Sequence, residues 1–128
     1  MDEIILNVNW VAVIVGAIVS FLLGWLWYSP KLFGVKWAEG VGVTLDKGSA
    51  MSVGAMATQA IGMFLYAWVV GVTAKNEALL TIILIMLALV FLTAAGGRFS
   101  QKSNYAIVTE SGFVVVMTIV MIIVQGIF

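Results

Sequence analysis

Hydrophobic residues fill four long stretches of this chain, and polar residues separate them. The stretches cover Ile4–Tyr28, Ala50–Thr73, Ala78–Gly96 and Tyr105–Phe128, or 25, 24, 19 and 24 residues. A helix rises about 1.5 Å per residue and the hydrocarbon core of a bilayer is about 30 Å thick, so about 20 residues span it. The pattern predicts an all-α membrane protein, with four transmembrane helices in one small bundle and an interfacial loop over residues 29–49.

Small residues recur at every fourth position of the first two predicted helices. The rows are Ala12, Gly16, Ser20 and Gly24 on the first helix, and Ala50, Gly54, Thr58 and Gly62 on the second. Residues four apart share one helix face, and small side chains there let two helices approach closely in lipid. We interpret the rows as packing surfaces, within one chain or between copies of a homo-oligomer. A pore-lining or hinge role is the alternative.

The fourth helix carries a line of polar residues. Asn104, Ser111, Thr118 and Gln125 recur at intervals of seven. Residues at that spacing lie on one helix face, and polar side chains in a membrane should face the bundle interior. The line therefore predicts which side of this helix is buried.

Glu110 lies beside that line, about 9 Å inside the predicted start of the helix. A carboxylate at this depth is costly unless it is paired, hydrated or protonated. Glu110, Arg98, Lys102 and Gln59 form the candidate functional polar site. Two interpretations stay open, since an Arg98–Glu110 ion pair would only close the helical hairpin, whereas an unpaired Glu110 would be a candidate proton or cation site.

Aromatic and basic residues cluster where the first helix ends. Trp and Tyr rings favour the headgroup region, and lysines are attracted to anionic lipids. We therefore expect this segment to lie at the membrane surface, either recognising lipid or simply ending a helix. The predicted interfacial lipid contacts are Trp27, Tyr28, Lys31, Phe33, Lys36 and Trp37.

Composition narrows the chemistry further. The chain is 63% hydrophobic and 9% charged, has no net charge, and contains neither cysteine nor histidine. Thiolate and imidazole groups are therefore excluded as nucleophiles, bases and ligands. We expect no catalytic residue, no cofactor and no metal site. Without a basic stripe, nucleic acid is not an expected partner.

The lysine and arginine residues predict the orientation. Those in loops 1 and 3 are Lys31, Lys36, Lys47, Arg98 and Lys102, whereas loop 2 holds only Lys75. Cytoplasmic loops of membrane proteins carry an excess of such residues. Loops 1 and 3 should therefore be cytoplasmic and both termini outside.

The residues near Pro30 resemble a family signature. Asn9-Trp10 is followed by Gly24-x-x-Trp27-Tyr28-Ser29-Pro30-x-Leu32-Phe33-Gly34-x-x-Trp37. This pattern, over about the first 40 residues, is similar to that of small bacterial membrane proteins classed as a domain of unknown function. The resemblance implies four transmembrane helices and a bacterial inner-membrane location. It carries over no catalytic residue.

Three functions compete on the sequence alone. A homo-oligomeric transport or channel-like protein fits the small-residue rows and Glu110, with an unknown small-molecule or ion substrate. A non-catalytic accessory or scaffold subunit, in contact with membrane lipid through loop 1, fits the same rows. An intramembrane enzyme acting on lipid headgroups is the third and weakest interpretation.

Overall fold

Six helices make up the described part of the chain. The structure is a computed structural model that describes residues 2–29, 31–42 and 53–128. Four of the helices are long and apolar enough to cross a membrane, which confirms the predicted all-α membrane bundle. The helices are α1 (Asp2–Ile5), α2 (Trp10–Trp27), α3 (Gly34–Val41), α4 (Val53–Lys75), α5 (Leu79–Phe99) and α6 (Asn104–Ile127).

The first predicted helix, Ile4–Tyr28, is divided in the structure. The helix is interrupted between α1 and α2, where Asn7 has a left-handed φ of 64°. Asn9 then caps α2, because its side-chain oxygen accepts a hydrogen bond from the Ala12 amide at 3.1 Å. An N-cap asparagine satisfies an amide that has no partner inside the helix.

The other boundaries lie nearer to the predicted ones. The predicted second helix starts at Ala50, outside the described residues, and α4 continues to Lys75. Helix α5 passes beyond Gly96 to Phe99, while α6 is within one residue of the prediction at each end. The predicted loop over residues 29–49 contains a further helix, α3.

Helix α2 packs against both α4 and α6, and its small-residue row faces into the bundle. Gly16, Ser20 and Gly24 are buried. A β-carbon at Gly24 would lie 3.0 Å from Phe113 Cζ, and one at Gly16 would lie 3.6 Å from Met121 Cγ. This row therefore packs within the chain, against α6 at Gly16 and against both α6 and Met63 of α4 at Gly24.

Among the described residues, no such partner is seen at Gly62 in the corresponding row on α4. Gly54, Thr58 and Gly62 are exposed, and a β-carbon at Gly62 would meet no atom within 4 Å. The Thr58 hydroxyl donates to the Gly54 carbonyl of its own helix at 2.8 Å. Within the described residues, the two predicted rows therefore do not pack on each other.

The polar line on α6 turns inward at its centre. Thr118 is fully buried, and its hydroxyl and that of Tyr66 on α4 hydrogen-bond at 2.8 Å. Ser111 and Gln125 are half-buried, whereas Asn104 is exposed at the helix start. The prediction of an inward polar face is confirmed at Thr118.

Contacts at the two ends of the bundle show which loops lie together. At one end the Ser103 amide donates to the Gly40 carbonyl at 3.1 Å, so loops 1 and 3 meet. At the other end Lys75 Nζ donates to the Leu6 carbonyl at 2.6 Å, so the N-terminal segment and loop 2 meet. Loops 1 and 3 therefore share one end, as the orientation prediction requires.

Candidate functional site

A tight reversal after α2 starts the site. The Gly34 amide donates to the Ser29 carbonyl at 2.9 Å, and the Phe33 amide donates to the Trp27 carbonyl at 3.2 Å. A β-carbon at Gly34 would overlap the Tyr28 carbonyl oxygen and lie 2.6 Å from that of Ser29. Only glycine fits without a backbone shift, and the reversal turns α3 back toward the bundle.

Helix α3 then packs against the first turns of α6. Gly34 and Ala38 are buried on its inner side, whereas Val35 and Lys36 are exposed. A β-carbon at Gly40 would overlap the Ser103 hydroxyl and come within 2.9 Å of Ala106 Cβ. The glycine therefore allows the close approach of α3 to α6.

Five rings meet between α2, α3 and α6, and we call them the aromatic cluster. Trp27 lies 4.7 Å from Phe33 and 5.9 Å from Phe113, measured between ring centroids. Tyr28 meets Trp37 edge-on at 4.8 Å and Phe113 at 5.7 Å. Such tilted geometries place positive ring edges against negative ring faces.

The aromatic cluster is tied to α6 through an indole group. Trp27 Nε1 donates to the Thr109 carbonyl at 3.0 Å. This carbonyl lies one residue before Glu110. The end of α2 is thus attached next to the intramembrane carboxylate.

Glu110 has three short contacts with two partners. Lys102 Nζ lies 3.0 Å from both carboxylate oxygens, and Trp37 Nε1 donates to Oε2 at 2.9 Å. The side chain of Glu110 is 16% exposed and that of Lys102 is 29% exposed. An indole donor and a cation therefore share one partly desolvated carboxylate.

The expected Arg98–Glu110 pair is not formed. Among the described residues the ion pair of Glu110 is with Lys102, and Arg98 is exposed at the end of α5. The reason is the short turn after α5, where the Lys102 amide donates to the Gly97 carbonyl at 2.9 Å. The turn places Lys102 directly before α6, within reach of a carboxylate two turns further on.

A cavity of about 390 Å³ adjoins the carboxylate. It lies between the four long helices, at the end of the bundle where α4 begins and α5 ends. Its polar lining residues are Tyr28, Gln59, Thr93 and Glu110, and the others are apolar or aromatic. No lysine or arginine is among the described residues that line it.

Tyr28 is an uncharged polar group in this wall. Burial, and secondly the negative charge of Glu110, raise the pKa of the Tyr28 phenol well above its usual range. The phenol therefore keeps its proton at physiological pH. Glu110 is then the charged member of the described cavity lining.

The predicted site residues thus fall into separate groups. Glu110, Lys102, Trp37 and Tyr28 come together, and Gln59 lies across the cavity from them on α4. The predicted lipid contacts Trp27, Tyr28, Phe33 and Trp37 are half-buried within the aromatic cluster. Lys31 is exposed, and Lys36 Nζ lies 5.5 Å from the Tyr105 ring centroid. Lipid contact stays a prediction.

Other lining residues did not emerge from the sequence. Phe113 and Met117 follow Glu110 at helical spacing, and Met63 and Phe21 face them from α4 and α2. Spacing from Glu110 is the signal that could have identified the first two. No local pattern marks Met63 or Phe21, because they reach the cavity only through the packing of the helices.

Comparisons with known proteins give a family and nothing more specific. Neither the curated proteins nor the solved structures contain a match. A family model described as "Protein of unknown function (DUF1761)" matches residues 11–126. That range runs from the second residue of α2 to the last residue but one of α6 and so includes nearly all of the four long helices. The chain therefore belongs to this family of unknown function, DUF1761.

Proposed function

We propose that this protein binds a small molecule inside the membrane and transports it, working as a homo-oligomer. The observation that carries the proposal is the cavity of about 390 Å³ beside Glu110. Ligand cavities are commonly about 300–1,000 Å³, mostly apolar, with few convergent polar groups. This cavity has that size and lining.

The charged pair beside the cavity supports the same function. Ionisable side chains inside membrane proteins are costly and commonly mark substrate or ion pathways. An ion pair with only a structural role would require no partner beyond Lys102 and Glu110 and no contact with a cavity. Here the carboxylate also accepts from Trp37 and lines the cavity, so the pair lies where a bound molecule would reach it.

The exposed row on α4 supports an assembly of several copies. Gly54, Thr58 and Gly62 leave a small-residue face uncovered, next to the cavity residues Ala55 and Gln59. Small residues permit close helix contacts in lipid. A thin bundle of four long helices would gain a second wall for the transport pathway from a neighbouring copy.

Flux into proteoliposomes tests the transport proposal. The purified full chain and a Val114→Trp variant would be compared with empty liposomes, using a panel of inorganic ions and small organic solutes. Val114 is half-buried and lines the cavity, so a larger ring there reduces its volume. We expect flux of at least one solute with the wild type and a clear loss with the variant. No flux above empty liposomes across the panel would reject transport.

The uncovered α4 face also favours a second candidate, an accessory subunit of a larger membrane assembly. In that case a different protein, rather than a second copy, would cover Gly54, Thr58 and Gly62. Affinity capture from native nanodiscs distinguishes the two. A stoichiometric heterologous partner, lost in Gly62→Leu, would favour the accessory role, whereas recovery of the same chain alone would favour the homo-oligomer.

A further inference from the structure

We propose that the occupant of the cavity is a small organic cation with an apolar body, and that its charge replaces Lys102 at Glu110. This inference rests on the proposed function and names its substrate class. A quaternary ammonium carrying an aryl group is the simplest member of the class. The chemistry follows from the charge of the cavity, its rings and its opening.

The charge of the cavity lining selects a cation. Glu110 lines the cavity, whereas Lys102, its ion-pair partner, approaches the carboxylate from outside the lining. No other charged side chain is among the described residues of the wall. An anion placed there would meet a carboxylate and, among the described lining residues, no cation, so the electrostatics of this lining disfavour it.

The rings select an organic rather than an inorganic cation. Trp25, Tyr28, Trp37 and Phe113 line the cavity with Glu110. Aromatic faces attract desolvated cations, and quaternary ammonium groups are commonly bound by such rings. An inorganic ion would also require several oxygen ligands, as calcium and magnesium do. One carboxylate among rings suits a large, weakly hydrated charge.

Exposed lining residues connect the cavity to the bilayer. Trp25 is 63% exposed and Gln59 is exposed, and both line the cavity. They lie on helices long and apolar enough to span a membrane, so in a single copy of the chain this side of the cavity would open toward the bilayer. A molecule with an apolar body accumulates in the bilayer and can enter from that side.

Lys102 gives the site an internal competitor. Its ammonium group contacts both Glu110 oxygens at 3.0 Å but remains 29% exposed. Lysine carries its charge on a flexible chain, so the ammonium group can move to the membrane surface when another cation arrives. An incoming cation then leaves the carboxylate paired and Lys102 hydrated.

The test uses benzyltrimethylammonium and its uncharged isostere, neopentylbenzene. Binding of each to the full chain in phosphatidylcholine nanodiscs would be measured by ligand-observed NMR, with empty nanodiscs as blanks. Glu110→Gln should weaken binding of the cation by about tenfold or more, because a desolvated charge contact is lost. Lys102→Gln should strengthen it severalfold, because the competitor is removed. Binding of the isostere should change little in either variant.

Two matched variants control for general effects of charge removal. Glu39→Gln makes the same substitution at an exposed residue of α3, and Arg98→Gln removes an exposed cation from the end of α5. Neither residue lines the cavity, so neither should change binding of the cation. Circular dichroism and size-exclusion profiles establish that each variant is folded. If Glu110→Gln does not fold, the proposal is tested by whether Lys102→Gln strengthens or weakens binding of the cation.

If the cation displaces Lys102, its affinity should fall in Glu110→Gln and rise in Lys102→Gln. A purely structural ion pair would not give these opposite changes. Weaker binding of the cation by Lys102→Gln would overturn the proposal. Equal binding of cation and isostere, both abolished by Val114→Trp, would also overturn it but leave a small-molecule cavity in place. If neither probe binds, the cation proposal fails, and the solute flux panel then decides the transport function independently.

Discussion

At Gly34 the chain reverses within a few residues, and the carbonyl groups of Tyr28 and Ser29 occupy the space that a β-carbon would need. The reversal positions α3, and α3 carries Trp37 to the Glu110 carboxylate. The geometry of the site therefore requires a residue without a β-carbon at position 34. The same residue ends the Trp-Tyr-Ser-Pro-x-Leu-Phe-Gly run of the sequence.

Gly34→Ala should lower the stability of the protein. Overpacking without room to relax costs about 1–3 kcal/mol. Gly96→Ala on α5 is the matched control, since a β-carbon there meets no atom within 4 Å and alanine favours a helix over glycine by up to about 1 kcal/mol. Reversible unfolding in mixed micelles measures both. Equal stability of the two variants would contradict the role given to Gly34.

Glu110 and Trp37 show how much of the site could be predicted from the sequence. Hydropathy identified Glu110 as an anomaly, since a carboxylate stands out among apolar residues. The sequence did not show which cation pairs with Glu110, because Arg98 and Lys102 are both close to it along the chain. The conformation of the turn after α5 decides between them. Trp37 looked like a membrane anchor, because an indole at a helix end favours that position. In the structure the Trp37 N–H donates to Glu110, while contact of the ring with lipid stays a prediction.

Among the helices, α3 is the one that hydropathy is least able to predict. The spanning helices were predictable because 18 or more apolar residues have few other solutions. A helix of eight residues, Gly34–Val41, has no such signature. Its position depends on Gly40, which lies against Ser103 and Ala106 at the start of α6. That contact joins residues far apart in sequence, so no local pattern predicts it.

Gly40→Leu should therefore separate α3 from α6 while leaving the bundle folded. Hydrogen exchange in nanodiscs should become faster at the α3 amides, with the centres of α2 and α6 unchanged. Gly96→Leu serves as a control, because a β-carbon at Gly96 meets nothing within 4 Å. Unchanged exchange in α3 of the Gly40 variant would show that the helix does not depend on this contact.

At the scale of the whole molecule, four of the five basic residues that the structure describes lie at one end of the bundle. Lys31, Lys36, Arg98 and Lys102 lie in or beside the two loops that meet through Gly40 and Ser103. Asp2, Glu3, Lys75 and Glu77 lie at the opposite end, where Lys75 contacts the N-terminal segment. Two spanning helices, α4 and α5, separate loops 1 and 3, so both loops lie on the same side of the membrane, and their contact agrees with this.

The side of the membrane is testable by labelling single cysteines, because the natural chain has none. The excess of lysine and arginine in loops 1 and 3 predicts that these loops are cytoplasmic. In intact cells, a membrane-impermeant maleimide should therefore label Asp2→Cys and Glu77→Cys but not Lys36→Cys. Permeabilised cells should label all three, which controls for reactivity. Labelling of Lys36→Cys alone in intact cells would reverse the orientation. The carboxylate of Glu110 would then lie in the outer half of the bilayer, and a transported cation would reach it from outside the cell.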